Sequence, residues 1–229
     1  MERNITFIAV YLFFSYLVCN SAFAVDPGGE DIKRQELVRK TDELRAKFIK
    51  HASQYVGIRE KTGRNDGPEI ERWLRVVGRK KGDAYCTAYS STMFFDLNIP
   101  APITGWSPAM FTGNVIYERK YVDWRKGFVF PVGSVFGFYY PDKGRVAHTG
   151  LIESSDWEKS MTIQANTSFT GAVQSDDDLT ETVREGQGVA RKWVRNQTIY
   201  IASDYIGGRL VMYDWRRSGT YSKIKLIDE

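Results

Sequence analysis

The spacing of apolar residues changes from a helical to a strand pattern along the chain. In the first part, apolar residues recur three or four positions apart, which predicts amphipathic helices. These helices are expected over residues 31–56 and 69–77, with a third that starts near Cys86. From Val129 onwards, short β-branched and aromatic runs alternate with turn residues, which predicts strands.

The first two predicted strands, residues 133–140 and 145–153, flank the sequence Pro-Asp-Lys-Gly at 141–144. These residue types favour a hairpin turn. Further strands are predicted over residues 160–167, 188–194 and 198–202, and residues 211–215 either add a last strand or lie across the surface. Helices followed by an antiparallel meander indicate an α+β fold.

The N-terminus has the pattern of a secretory signal peptide. A short polar start precedes apolar residues 5–18, and the sequence Ser-Ala-Phe-Ala ending at Ala24 offers a small-residue cleavage site. The apolar stretch is too short to span a bilayer comfortably. We therefore predict a signal peptide over 1–24, a linker over 25–30 and a single domain over 31–229.

This prediction makes the mature protein secreted or periplasmic, without stable membrane insertion. Two alternatives remain for the leader: an uncleaved membrane anchor, and lipid attachment at Cys19.

The composition agrees with one globular domain. The chain has 229 residues, of which 42% are hydrophobic, enough to build a sizeable core. The net charge of +4 is spread among acidic residues, so nucleic acid is not expected as a partner. A mildly basic surface suits an anionic cell envelope. We expect a monomer.

Cys86 is the first candidate for chemistry. The chain has two cysteines, and Cys19 leaves with the predicted signal peptide, so no intramolecular disulfide is possible in the mature protein. A lone thiol in an oxidising compartment is prone to oxidation. Its presence is therefore better explained by a chemical role than by packing. A position in the first turn of a helix favours the thiolate. The alternative is a buried structural cysteine.

His148, Gln164 and Asn166 are candidate partners of this thiol. A cysteine nucleophile needs a base, and the base needs a partner that fixes its ring. His148 lies on a predicted strand, and Gln164 and Asn166 share one face of the next strand. The alternatives are a hydrogen-bonded core histidine for His148 and a turn residue at a strand end for Asn166.

Other polar segments are interpreted as structural. His51 lies on the first predicted helix without a motif around it. Residues 57–68 and the acidic run 175–178 are each candidates for binding a cation, and residues 57–68 also for lining a groove. We favour ordinary surface loops for both. No metal or organic cofactor is predicted.

Three short blocks around these residues resemble the CHAP domains, papain-like amidohydrolases and peptidases that cut peptidoglycan. Residues 82–89 (GDAYCTAY) are similar to the family pattern G-x-x-[WY]-C-[ATV]-x-[FY]. Residues 146–152 (VAHTGLI) resemble the H-[VT]-G-[IL]-[VI] strand, and residues 163–167 (IQANT) the [VI]-E-G-N-x strand. The resemblance covers about residues 48–202.

The resemblance implies a papain-like fold in which Cys86 is the nucleophile at a helix N-terminus and His148 is the base and acid. Asn166 matches the polar residue that accompanies the histidine, and Gln164 stands where the family often has Glu. This departure predicts a slower, pH-shifted or inactive site, because Gln stabilises imidazolium less than a carboxylate does. The related NlpC/P60 enzymes usually orient this histidine with a second one, and no histidine follows His148 here.

The implied function is a secreted cysteine hydrolase that acts on peptidoglycan, either as an N-acetylmuramoyl-L-alanine amidase or as a peptide endopeptidase. Two alternatives stand beside it. One is a non-catalytic module that binds the cell envelope, and the other is a cysteine hydrolase of a different amide, such as a protein or a small acyl conjugate.

Overall fold

The computed structural model describes residues 27–123, 125, 127–169 and 187–207. Within these residues the chain forms three α-helices and one six-stranded antiparallel sheet, which confirms the α+β class. The helices are α1 (Pro27–Ser53), α2 (Pro68–Val76) and α3 (Cys86–Asp96). The strands are β1 (Val115–Glu118), β2 (Val135–Tyr140), β3 (Arg145–Ser155), β4 (Lys159–Thr167), β5 (Gly188–Arg195) and β6 (Ile201–Ser203).

The chain divides into two compact units, Met1–Lys40 and Thr41–Glu229. The described part of the first unit is helical from Pro27, inside the segment 25–30 that was predicted as a linker. An exposed ion pair joins Arg39 and Glu36 one turn apart on this helix. The candidate site lies wholly in the second unit.

The sheet has the strand order β1-β6-β2-β3-β4-β5. The run from β2 to β5 follows the predicted meander, but the last predicted strand, 198–202, forms β6 beside β2 rather than beside β5. The first hairpin turns through a short 3₁₀ helix at Pro141–Lys143. Gly144 closes this turn with φ of 61°, a left-handed conformation that glycine adopts without steric cost. The prediction missed β1, an edge strand of only four residues that pairs with the short strand β6.

Apolar residues fill both faces of the sheet. On one face, the helices pack against the strands, with Phe48, Trp73 and Tyr89 among the fully buried side chains. The other face carries a second cluster, in which Phe136 and Phe138 of β2 are fully buried. Burial on both faces explains why β2 reads as a nearly continuous apolar run rather than an alternating one.

Helix α3 is buried on almost every side, from Cys86 to Phe94. Its sequence is half polar, yet its hydroxyls are hydrogen-bonded inside the core: Ser90 donates to the Cys86 carbonyl and Thr92 to the Ala88 carbonyl. These bonds to the preceding turn remove the cost of burying the hydroxyls. Phe95, next to the last residue of the helix, is 52% exposed.

Candidate active site

Cys86 is the first residue of α3, as the sequence predicted. The preceding residue, Tyr85, caps the helix without a side-chain hydrogen bond to its N–H groups. The first N–H groups of a helix have no partner within the helix, so they create a positive electrostatic environment around the sulfur. Cys86 is 5% exposed and is a free thiol.

His148 on β3 and Gln164 on β4 form a hydrogen-bonded chain with this thiol. The Cys86 side chain hydrogen-bonds to the imidazole, and His148 Nε2 lies 2.9 Å from Gln164 Oε1. The ring of Phe138 stacks on the imidazole at an interplanar angle of 13°. The stacked ring and the amide together hold the plane of the imidazole.

The register of the sheet places these side chains. His148 lies opposite Phe138 in the β2–β3 pair, and Gln164 lies opposite Gly150 in the β3–β4 pair. A Cβ atom on Gly150 would lie 2.7 Å from the Phe136 ring and 3.0 Å from Gln164 Cγ. A side chain at position 150 would therefore clash with the Phe136 ring and crowd the Gln164 side chain.

The hydrogen bonds around Gln164 determine which nitrogen of His148 carries the proton. Thr162 Oγ1 donates its only proton to the Lys192 carbonyl, so it must accept from Gln164 Nε2, at 2.9 Å. The amide oxygen of Gln164 then faces the imidazole, and His148 Nε2 must be the donor. This leaves the Nδ1 lone pair to accept the thiol proton, which is the tautomer that a general base requires.

The surroundings of Cys86 make its thiol acidic. Burial, the largest single influence, raises the pKa of this group, whereas the hydrogen bond and charge of His148 lower it. Hydrogen bonds from the Thr87 hydroxyl and the Thr149 backbone N–H act in the same direction, and the pKa falls from 9.0 to about 6. The thiolate is therefore the major form at neutral pH.

Asn166 differs from Gln164 in how it meets the site. It has φ of 55°, at an irregularity in the β4–β5 pairing, and its backbone N–H hydrogen-bonds to the Tyr85 hydroxyl. Within the described part of the chain, its buried Oδ1 has no hydrogen-bond partner. The hydrogen bond to His148 is thus made by Gln164, and Asn166 has the backbone conformation of a turn residue.

Several residues of the site were not singled out from the sequence. Thr87 Oγ1 lies 3.7 Å from the Cys86 sulfur and contacts both Ser107 and Thr149. The Tyr85 hydroxyl donates to Glu60 at 3.1 Å; burial, followed by the charge of Glu60, raises the pKa of Tyr85 well above its ordinary value. The sequence gives no signal of these contacts, because the partners of each residue come from distant elements.

The remaining candidates lie elsewhere. His51 hydrogen-bonds to Asp96. In residues 57–68, Asp66 accepts from the Thr62 backbone and hydroxyl, so this carboxylate holds the loop together. Among the described residues no group of acidic, histidine and cysteine side chains is arranged to hold a metal ion. The acidic run 175–178, the signal peptide and residues 211–215 lie outside the described residues.

None of the helices in the described ranges has the length and apolar character that crossing a membrane requires. No protein-family model, no curated protein and no solved structure matches this chain.

Proposed function

We propose that this protein is a cysteine hydrolase that cleaves amide bonds of peptidoglycan. The observation that carries the proposal is the hydrogen-bonded chain of Cys86, His148 and Gln164 at the start of a helix. A free thiol with a lowered pKa, a base in the correct tautomer and a residue that orients the base are the parts that a nucleophilic cysteine needs.

In the proposed reaction, the Cys86 thiolate attacks the carbonyl carbon of the substrate amide. The oxygen gains negative charge as the C–S bond forms, and backbone N–H groups at the start of α3 stabilise it, that of Cys86 included. His148 gives the thiol proton to the leaving amine when the C–N bond breaks. Water, deprotonated by His148, then hydrolyses the thioester and restores the thiol.

Gln164 acts on the imidazole rather than on the substrate in this mechanism. Its carbonyl oxygen holds His148 Nε2–H, and Thr162 prevents the amide from turning over. A neutral amide supplies orientation without the charge that a carboxylate would place beside the imidazolium. We therefore propose a lower rate or a shifted pH optimum, not a missing base, as the consequence of Gln at this position.

The papain-like assignment and the choice of substrate rest on the resemblance of the three sequence blocks to CHAP domains. A nucleophile at a helix N-terminus, with its base and amide on adjacent antiparallel strands, supports that assignment. The signal-peptide pattern supports action in the cell envelope, in a secreted or periplasmic protein.

The test is product analysis of purified peptidoglycan incubated with the wild-type protein and with Cys86→Ala. Mass spectrometry is expected to show fragments with a newly freed amine from the wild type and none from the variant. A freed L-alanine amine identifies an amidase, whereas a freed amine within the stem peptide identifies an endopeptidase.

A second candidate, a non-catalytic module that binds the envelope, is favoured by the neutral Gln164 and by the low exposure of Cys86. Wild-type protein that sediments with peptidoglycan but releases no fragments would establish this function and contradict the hydrolase. Cleavage of another amide without any action on peptidoglycan would overturn the proposed substrate and keep the chemistry.

A further inference from the structure

Three hydroxyl groups from separate elements meet beside the Cys86 sulfur. Thr87 is the second residue of α3, Ser107 begins the 3₁₀ helix Ser107–Phe111, and Thr149 follows His148 on β3. Thr87 Oγ1 lies 2.8 Å from Ser107 Oγ and 3.3 Å from Thr149 Oγ1, and 3.7 Å from the sulfur. All three residues are buried, at 6% exposure or less.

The number of protons in this cluster restricts how it is oriented. A hydroxyl has one proton and two lone pairs. Thr149 Oγ1 donates to Thr87 Oγ1, which occupies one lone pair. When Ser107 also donates, the second lone pair is occupied, and the proton of Thr87 is left to point at the sulfur. An ionised sulfur favours this arrangement because charge-assisted hydrogen bonds are the stronger ones.

We propose that Thr87 is a positioning residue whose hydroxyl, held by Ser107 and Thr149, donates to the Cys86 thiolate and keeps the nucleophile ionised. The inference rests on the proposed role of Cys86 as nucleophile. The 3₁₀ helix Ser107–Phe111 then influences the thiol, because its residue Ser107 is one of the two donors that orient the Thr87 hydroxyl.

Three other groups influence the ionisation of Cys86: His148, the Thr149 backbone N–H and Tyr85. His148 on β3 hydrogen-bonds to the thiol, and the Thr149 backbone N–H donates to it. Tyr85, next to Cys86 in sequence, interacts with it electrostatically and donates its hydroxyl proton to Glu60 in the loop that precedes α2. None of these contacts uses the hydroxyl of Thr87, so replacing Thr87 tests its contribution separately.

The test follows the rate of iodoacetamide alkylation of Cys86 against pH, with mass spectrometry of the Cys86 peptide in the full chain. The wild type is expected to reach half of its plateau rate near pH 6. In Thr87→Val the midpoint should move up by about one pH unit, so that the rate at pH 6 falls roughly fivefold. Thr87→Ser, which keeps the hydroxyl, should retain the wild-type midpoint.

Thr92→Val is the matched control. It makes the same change in a fully buried residue of the same helix, but the Thr92 hydroxyl donates to the Ala88 carbonyl. Its midpoint should equal that of the wild type, whereas Ser107→Ala should raise the midpoint by less than Thr87→Val. Ser107→Ala also provides a reading if Thr87→Val does not fold, which circular dichroism reports.

The outcomes separate this inference from the proposed function. A wild-type midpoint near the ordinary value of 9.0 would contradict Cys86 as an activated nucleophile. A wild-type midpoint near 6 that stays unchanged in both Thr87→Val and Ser107→Ala would overturn the role of the hydroxyl cluster alone.

Discussion

The two histidines of this chain differ in the group that binds their ring, a carboxylate for one and a neutral amide for the other. His51 of α1 hydrogen-bonds through Nε2 to Asp96 Oδ2 at 3.0 Å, and the same carboxylate is paired with Arg72 of α2. His148 uses the same nitrogen, at 2.9 Å, but its partner is the neutral amide of Gln164. One region ties three helices together through charge, and the other orients an imidazole through a neutral amide.

The difference shows how one residue type is directed to two roles. The charged cluster of His51, Arg72 and Asp96 lies partly in solvent, with 21% of the His51 side chain exposed, and each member contributes to packing between helices. The amide of Gln164 is fully buried and oriented by Thr162, so it fixes the tautomer of His148 and leaves Nδ1 facing the thiol. A sulfur within reach, rather than burial or hydrogen bonding, distinguishes the candidate catalytic histidine.

The largest expected effect comes from removing the two imidazoles in turn. His148→Ala should lower the rate of peptidoglycan hydrolysis by about 10²- to 10⁴-fold, because the general base and acid is lost. His51→Ala should leave that rate within about twofold and lower the free energy of unfolding by roughly 1 kcal/mol, the value of one hydrogen bond. Fragment release and urea denaturation of both variants provide the measurements. A similar loss of hydrolysis in both variants would show that the two regions do not have separate roles.

Exchanging the partner of His148 gives an intermediate effect. Gln164→Glu places a negative charge beside the ring, which stabilises the protonated imidazole and should move the alkaline limb of the pH–rate profile to higher pH. Gln164→Ala removes the orienting group and should lower the rate roughly tenfold to a hundredfold. The pH dependence of fragment release distinguishes the two effects. A Gln164→Glu profile that coincides with the wild-type profile would contradict the role assigned to this amide.

The smallest expected effect comes from giving His51 a neutral partner as well. Asp96→Asn keeps the side-chain shape but removes the charge that Arg72 and His51 share. We expect a loss of roughly 1–2 kcal/mol in the free energy of unfolding, because the pair is only partly buried. Alkylation of Cys86 should be unchanged, since this cluster makes no contact with the thiol. Slower alkylation in a folded Asp96→Asn protein would show that the helices transmit strain to the site.

Much of the framework could be predicted from the order of residues along the chain. The helical spacing after Cys86 placed the thiol in the first turn of α3, and the residues at 141–144 predicted the turn between β2 and β3. These features depend on local periodicity and turn chemistry, which adjacent residues determine by themselves. The short strand β1 has neither a turn signal nor sufficient length, so its pairing with β6 could not be anticipated.

The division of labour between Gln164 and Asn166 was decided by the tertiary structure. The two residues lie two positions apart on one strand and so share a face, which means that periodicity alone cannot distinguish them. Gln164 makes the hydrogen bond with His148 because it lies opposite Gly150 in the β3–β4 pair. Asn166 does not make it, and its backbone is left-handed. The hydroxyl cluster has the same origin, because Thr87, Ser107 and Thr149 come from three elements that meet only in the fold. Local sequence sets which helices and strands form, whereas the meeting of a thiol, an imidazole and an amide depends on register between strands, which no single segment contains.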